Sequence, residues 1–183
     1  LQGLTFGDSP REGVVRANRF YHRDLDLMIE FPTGWQLANS AKVLNATSPA
    51  RDAMIQVHAD KRPAGNVPPH EFLRQRLKGV ELTRDGTIQG LAGPAHTAVA
   101  RLKTPFGSRD TRVIALYDRQ QAFLFFGAAK TDAAFGKLDA QVNTVVHSLR
   151  KLTDPERTLA QGLRLRVKQA PAGTKFAALA AGV

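Results

Sequence analysis

Cysteine is absent from the 183 residues. That one absence removes disulfides, thiolate metal sites and a cysteine nucleophile together, although it leaves the compartment open, since many cell-envelope proteins also lack cysteine. Long hydrophobic runs are missing too: no stretch approaches the roughly 18 to 20 apolar residues that span a bilayer. The first residues lack the basic start and apolar segment of a signal peptide. The chain opens on Leu1 rather than methionine, so upstream sequence is expected. No internal repeat is present, and tryptophan occurs once, at Trp35.

What remains is ordinary in amount. Hydrophobic residues make up 43% of the chain, enough for one domain with a sizeable core. Lysine and arginine number 26 against 16 acids, a formal charge of +10. Such a charge attracts nucleic acid, anionic lipid or an acidic partner. The basic residues are spread along the chain and interrupted by acids. The densest stretches, 101–112 and 163–175, do not interleave aromatics with cations as single-strand binders do, which argues against nucleic acid.

Residues 1–19, with the turn signals Gly7-Asp8-Ser9-Pro10 and Gly13, read as a connecting segment. Leu25, Leu27, Ile29 and Phe31 alternate with Asp26, Met28 and Glu30, the period of a half-buried strand. Pro32-Thr33-Gly34 stops it. A second extended stretch runs from Trp35 through Thr47, and Ala53, Ile55, Val57 and Ala59 mark a third; together these predict an antiparallel meander. A helix is expected over about 68–78, where proline suits the first turn and Glu71 complements its positive end. Residues 83–94 read as turns with at most a short strand, and 96–103 as a strand.

Residues 112–117 and 122–129 flank Asp118-Arg119-Gln120-Gln121 as a hairpin with a four-residue loop. Its second arm is apolar on both faces, which predicts a central strand covered on both sides. Phe135, Leu138, Val142, Val145, Val146 and Leu149 recur at helical spacing behind a cap at Thr131 or Asp132. Asp154-Pro155 breaks the chain, and residues 156–183 read as a basic, alanine-rich tail holding one strand-like segment, 163–167. The fold class is therefore α+β: an antiparallel sheet with helices packed on it, followed by a basic C-terminal tail.

The search for chemistry finds no catalytic, metal-binding or cofactor-binding residues to name. His22, His58, His70, His96 and His147 form no His-x-x-x-His pair. His70-Glu71 begins like a zinc-protease motif, but Arg74 stands where the second ligand must be, so His70 reads as a solvated first-turn residue. His58 and His147 are expected at the surface. There is no Gly-x-Ser-x-Gly elbow and no phosphate loop; the serines lie in turns or at element ends. Trp35 and the aromatic run 123–126 read as core anchors.

Two sets of residues resemble known families. Phe31-Pro32-Thr33-Gly34-Trp35, a strand ending in Pro-x-Gly-Trp, resembles the start of PsbP-like domains, which implies an α/β/α sandwich around an antiparallel sheet. The second set is Gly3-Leu4-Thr5-Phe6-Gly7-Asp8-Ser9-Pro10, Gly13-Val14-Val15-Arg16 and Phe20-Tyr21-His22. It resembles the segment that follows the catalytic domain in bacterial zinc-dependent metallopeptidases of the CAAX-prenyl-protease-like class. Residues 148–155 resemble the end of that accessory region. Residues 163–167 with 171–174 resemble the opening of a small lysin-motif-like module.

The resemblance implies a linker over 1–19, a PsbP-like domain over 20–152, and a linker with a truncated module over 153–183. It implies a periplasmic or envelope-associated parent whose zinc sits on an upstream catalytic domain, with no cofactor in this chain.

Three functions follow. The first is a non-catalytic accessory domain of such a peptidase, positioning substrate or docking its own peptidase domain and envelope partners. The second is a free-standing basic module for an acidic protein, peptidoglycan or anionic lipid. The third is a small enzyme, which a pocket holding His58 or His96 beside a carboxylate would support.

Overall fold

The computed structural model describes residues 5–6, 13–40, 43–161 and 163–164. Two short strands, β1 (Thr5–Phe6) and β12 (Leu163–Arg164), pair antiparallel as a ribbon of their own. Between them come β2 (Val14–Arg16), β3 (Arg19–His22) and β4 (Leu27–Glu30), a small antiparallel sheet in that order. The main sheet has seven antiparallel strands. They are β5 (Gln36–Asn39), β6 (Val43–Thr47), β7 (Ala53–Lys61), β8 (Leu82–Ile88), β9 (Ala95–Thr104), β10 (Gly107–Asp118) and β11 (Gln121–Ala129), ordered β5-β6-β7-β11-β10-β9-β8. The doubly apolar β11 lies at its centre, as its sequence predicts. Among the described residues there are three helices: α1 (Pro69–Arg76), α2 (Asp132–Ser148) and α3 (Asp154–Leu159).

Alternation along the strands divides the core. One face of the main sheet presents Ile55, Val57, Ile114, Leu116 and Phe125 to the stripe of α2, and Phe20, Leu27, Ile29 and Phe31 from the small sheet complete that layer. Each buried α2 anchor contributes about 2 kcal/mol. The Thr131 hydroxyl caps the helix by accepting the Ala134 N–H at 3.3 Å, satisfying one of its free donors. The helix comes this close because β11 has a glycine beneath it: a Cβ at Gly127 would stand 2.3 Å from Val142 Cγ2. The opposite face packs Ala98, Ala100, Val113, Ala115 and Leu124 beneath Phe72 and Leu73 of α1.

Several expectations are corrected. The strand at Leu27–Glu30 is not part of the meander but of the small sheet, and Val14–Arg16, read as part of a connecting segment, is its first strand. Met28 does not face solvent: it is buried with Tyr21, Leu152 and Ala160, because the chain after α2 folds back over the outer face of β4. Met28 and Arg150 exchange both main-chain hydrogen bonds, at 2.8 and 3.1 Å. The stretch 35–47 forms two strands rather than one. Within 83–94, read as turns with at most a short strand, the structure has a full strand, β8 (Leu82–Ile88), at the sheet edge; Arg84 at φ 45° and a register shift between Thr83 and Gly86 mark the irregularity that the turn signals reflect. The β10–β11 loop has two residues, not four, with Arg119 at φ 52°.

Asp154-Pro155 opens a helix instead of breaking the chain. Proline fits the first turn, and Thr153 and Glu156 form a reciprocal capping box. The expected tail at 156 is therefore α3 through Leu159, and Ala160 behind it is fully buried. Of the strand-like 163–167, Leu163–Arg164 is strand and the rest lies outside the described residues, as do the lysin-motif-like residues 171–174.

Candidate functional clefts

Three of the depressions among the described residues bring polar groups together from segments far apart in sequence. The broadest follows α2. One part, 760 Å³, lies between the helix and the Glu30–Thr33 corner, lined by Asn18, Pro32, Thr33, Gln141, Thr144 and His147 among others. A second part, 360 Å³, continues past Pro32, Thr33 and Gln141, which line both parts, toward Trp35, Pro49 and Lys137. The walls of the two parts mix amides and hydroxyls (Asn18, Thr33, Gln141, Asn143, Thr144) with apolar and charged side chains such as Phe31, Trp35, Glu30 and Lys137. Trp35 is buried there as the anchor its position predicts, and Gly34 holds φ 82° in the turn before it. Ser148 ends α2 by accepting the Glu30 N–H at 2.8 Å, which fixes the helix against the corner. His147 is exposed, as expected, with Nδ1 2.8 Å from the Asn143 carbonyl.

A second cleft, 420 Å³, lies between the start of α1 and the β8–β9 turn. Here His96 Nε2 is 3.5 Å from Asp85 Oδ2, and the His70 and His96 rings meet edge-on with centroids 5.7 Å apart. Burial is the main cause that lowers the His96 pKa, partly opposed by Asp85. His96 thus lies in a pocket with a carboxylate near it, but Asp85 itself is not part of the lining. The Asp85 side chain is nearly half exposed, and 3.5 Å is longer than an aligned hydrogen bond. Thr87 is the hydroxyl in the lining. Among the described residues no group of three or more metal-ligating side chains comes together.

The third is a cavity of 180 Å³ between the two sheets. Phe20, Leu27 and Ile29 wall it on one side and Leu44, Val57 and Phe123 on the other, with His22 and Gln121 among its polar lining. His22 Nδ1 accepts the Leu25 N–H at 3.2 Å. Burial lowers the pKa of this ring as well, against a smaller opposing effect of Asp24. Sequence reading missed this cavity, because no local pattern marks side chains that meet across two sheets. His58, expected at the surface, is half-buried edge-on against Phe126, ring centroids 5.5 Å apart. Phe126, read with its neighbours as core, is itself only partly buried.

The layers, strand order and helix placement define a PsbP-like α/β/α sandwich. The solution structure of cyanobacterial PsbP from Synechocystis is similar at TM-score 0.54 and 14% identity, over 76% of this chain and 96% of that one. The Saccharomyces cerevisiae Ran-binding protein Mog1p is similar at TM-score 0.50 and 8% identity, over 78% of this chain and 99% of that one. A Bacteroides thetaiotaomicron structure matches at TM-score 0.50 and 13% identity, over 77% of this chain and 50% of that one. At these identities the likeness is one of fold. No family model and no curated protein matches the sequence.

Proposed function

We propose that this chain is a non-catalytic polypeptide-binding domain, accessory to a secreted zinc-dependent peptidase that carries its own zinc upstream. The observation that carries the reading is the pair of adjoining depressions along α2, which share Pro32, Thr33 and Gln141 as lining. The amides of Asn18, Gln141 and Asn143 and the hydroxyls of Thr33 and Thr144, set beside proline and tryptophan, can pair with an extended main chain, which offers a donor and an acceptor at each residue. A protein with the same fold is described as Ran-binding, so protein recognition lies within the repertoire of the architecture. The resemblance of residues 3–22 to a post-catalytic junction supplies the peptidase, and with it a periplasmic or envelope setting. On this reading the chain itself needs no cofactor.

The test compares this chain with the full-length product of its gene for zinc content and peptidase activity. An inert, zinc-free chain beside a zinc-loaded, active parent is expected; two zinc-free, inert samples overturn the peptidase assignment. In the full-length protein, Gln141→Arg with Thr144→Arg is expected to slow cleavage of a polypeptide substrate about tenfold while zinc content and hydrolysis of a short reporter peptide stay unchanged. Undiminished polypeptide cleavage overturns the groove.

A second reading has its own observation. Lys61, Arg62, Arg74, Arg76 and Lys78 gather around α1, where Arg76 pairs with Asp60 and Arg62 lies 4.7 Å over the Tyr117 ring. A free-standing module for an acidic protein, peptidoglycan or anionic lipid would use this group. It requires salt-sensitive retention on an anionic matrix, and elution unchanged by salt removes it.

A further inference from the structure

The cavity between the sheets lies away from the α2 groove and is built differently. Phe20, Leu27, Ile29, Leu44, Val57 and Phe123 wall 180 Å³ of space that stays partly open to solvent. A cavity of roughly 150 Å³ lined by leucine, isoleucine and phenylalanine takes up benzene. No Lys, Arg, Asp or Glu side chain among the described residues lines this one, and its volume is short for an acyl chain. Its polar content is of a different kind. His22 accepts the Leu25 N–H through Nδ1, which leaves Nε2 to carry the proton of the neutral ring. Gln121 and Asn39 add amides and Ser40 a hydroxyl. Ala59 also lines the cavity while its own surface is exposed, so the void reaches solvent along β7.

We propose that this cavity binds a free monocyclic aromatic compound bearing one hydrogen-bonding substituent, a phenol being the simplest case. The ring packs against the six apolar side chains and the substituent oxygen accepts from His22 Nε2–H. The site is independent of the polypeptide groove, so the failure of either leaves the other standing.

The experiment titrates 4-methylphenol and toluene separately into the isotope-labelled chain and follows amide shifts by NMR. Saturable shifts centred on Leu27, Val57 and Phe123 are expected, with 4-methylphenol bound up to about tenfold more tightly through one added hydrogen bond. In His22→Leu the two probes are expected within about twofold of each other. In Ala59→Trp, a change at an exposed position that fills the entrance, both lose the cavity shifts. The absence of saturable shifts at these residues with either probe overturns the site, as do shifts that persist in a folded Ala59→Trp chain. Equal affinity for both probes in the unaltered chain overturns the role of His22.

Discussion

Arg150 and Glu156 face each other through two parallel hydrogen bonds, Nη1 to Oε2 and Nη2 to Oε1, each 2.7 Å. The same carboxylate accepts the Thr153 N–H at 2.9 Å and the Thr153 hydroxyl at 3.0 Å. One acid therefore caps α3 and ties it to the residue that pairs with Met28.

The Arg150 guanidinium, helped by the Thr153 donors and opposed by burial, holds the Glu156 carboxyl at about 2, below its ordinary 4.5. A carboxyl lowered on folding contributes stability above its unfolded value and loses it as pH falls toward the folded one. Denaturant titrations of the chain and of Glu156→Gln should differ by about 1 kcal/mol at pH 7. That difference should shrink steadily between pH 4.5 and 2. A gap independent of pH contradicts the assignment.

A second window lies higher. His22, His58 and His96 all have lowered pKa values, with burial the main cause in each. Asp24 opposes the effect at His22, and Arg76 adds to it at His58. At His96, Asp85 opposes it while His70 and Arg74 add to it. The unfolded chain then binds more protons just below 6.5, so stability falls as pH drops through that value. Urea midpoints at pH 7.5 and 5.5 should show the loss, and His58→Phe should reduce it.

The Arg112 guanidinium donates to both Asp139 oxygens, at 2.5 and 2.8 Å, and to the Thr97 hydroxyl at 3.1 Å, joining β10 to α2. Removing one member leaves the other charge enclosed, so Asp139→Ala should cost about 3 kcal/mol. Arg112→Met with Asp139→Leu should cost much less than the two single changes added together. Additive losses in that double-mutant cycle rule out the coupling.

Gly127→Ala forces its new methyl against Val142, a buried branched side chain, and should destabilise by about 1–3 kcal/mol. Val142→Ala in the same chain makes room and should recover part of that loss. Thermal melting of the four forms measures it.

What the sequence discloses divides along physical lines. The α2 stripe, the central β11 and the Trp35 anchor rest on periodicity and apolar content, which one segment carries by itself. The outer face of β4 was hidden because its cover, Leu152 and Ala160, lies more than a hundred residues away. The polar composition of β8 reflects its place at a sheet edge, where only one side is paired, and it reads as turn. α3 did leave a local signal, Thr153-x-x-Glu156 with Pro155, but Asp-Pro is equally a breaker. The groove and the cavity join corners, turns and helix faces, and no spacing in the chain records such meetings.

The ribbon of β1 and β12 has a mechanical consequence. Thr5 stands opposite Arg164 and Phe6 opposite Leu163, so the chain enters and leaves the domain side by side. A pull on the sequence flanking both strands meets Thr5 and Arg164 first and opens the ribbon one pair at a time, as a zip opens. Only two residue pairs stand between such a pull and the strands behind them.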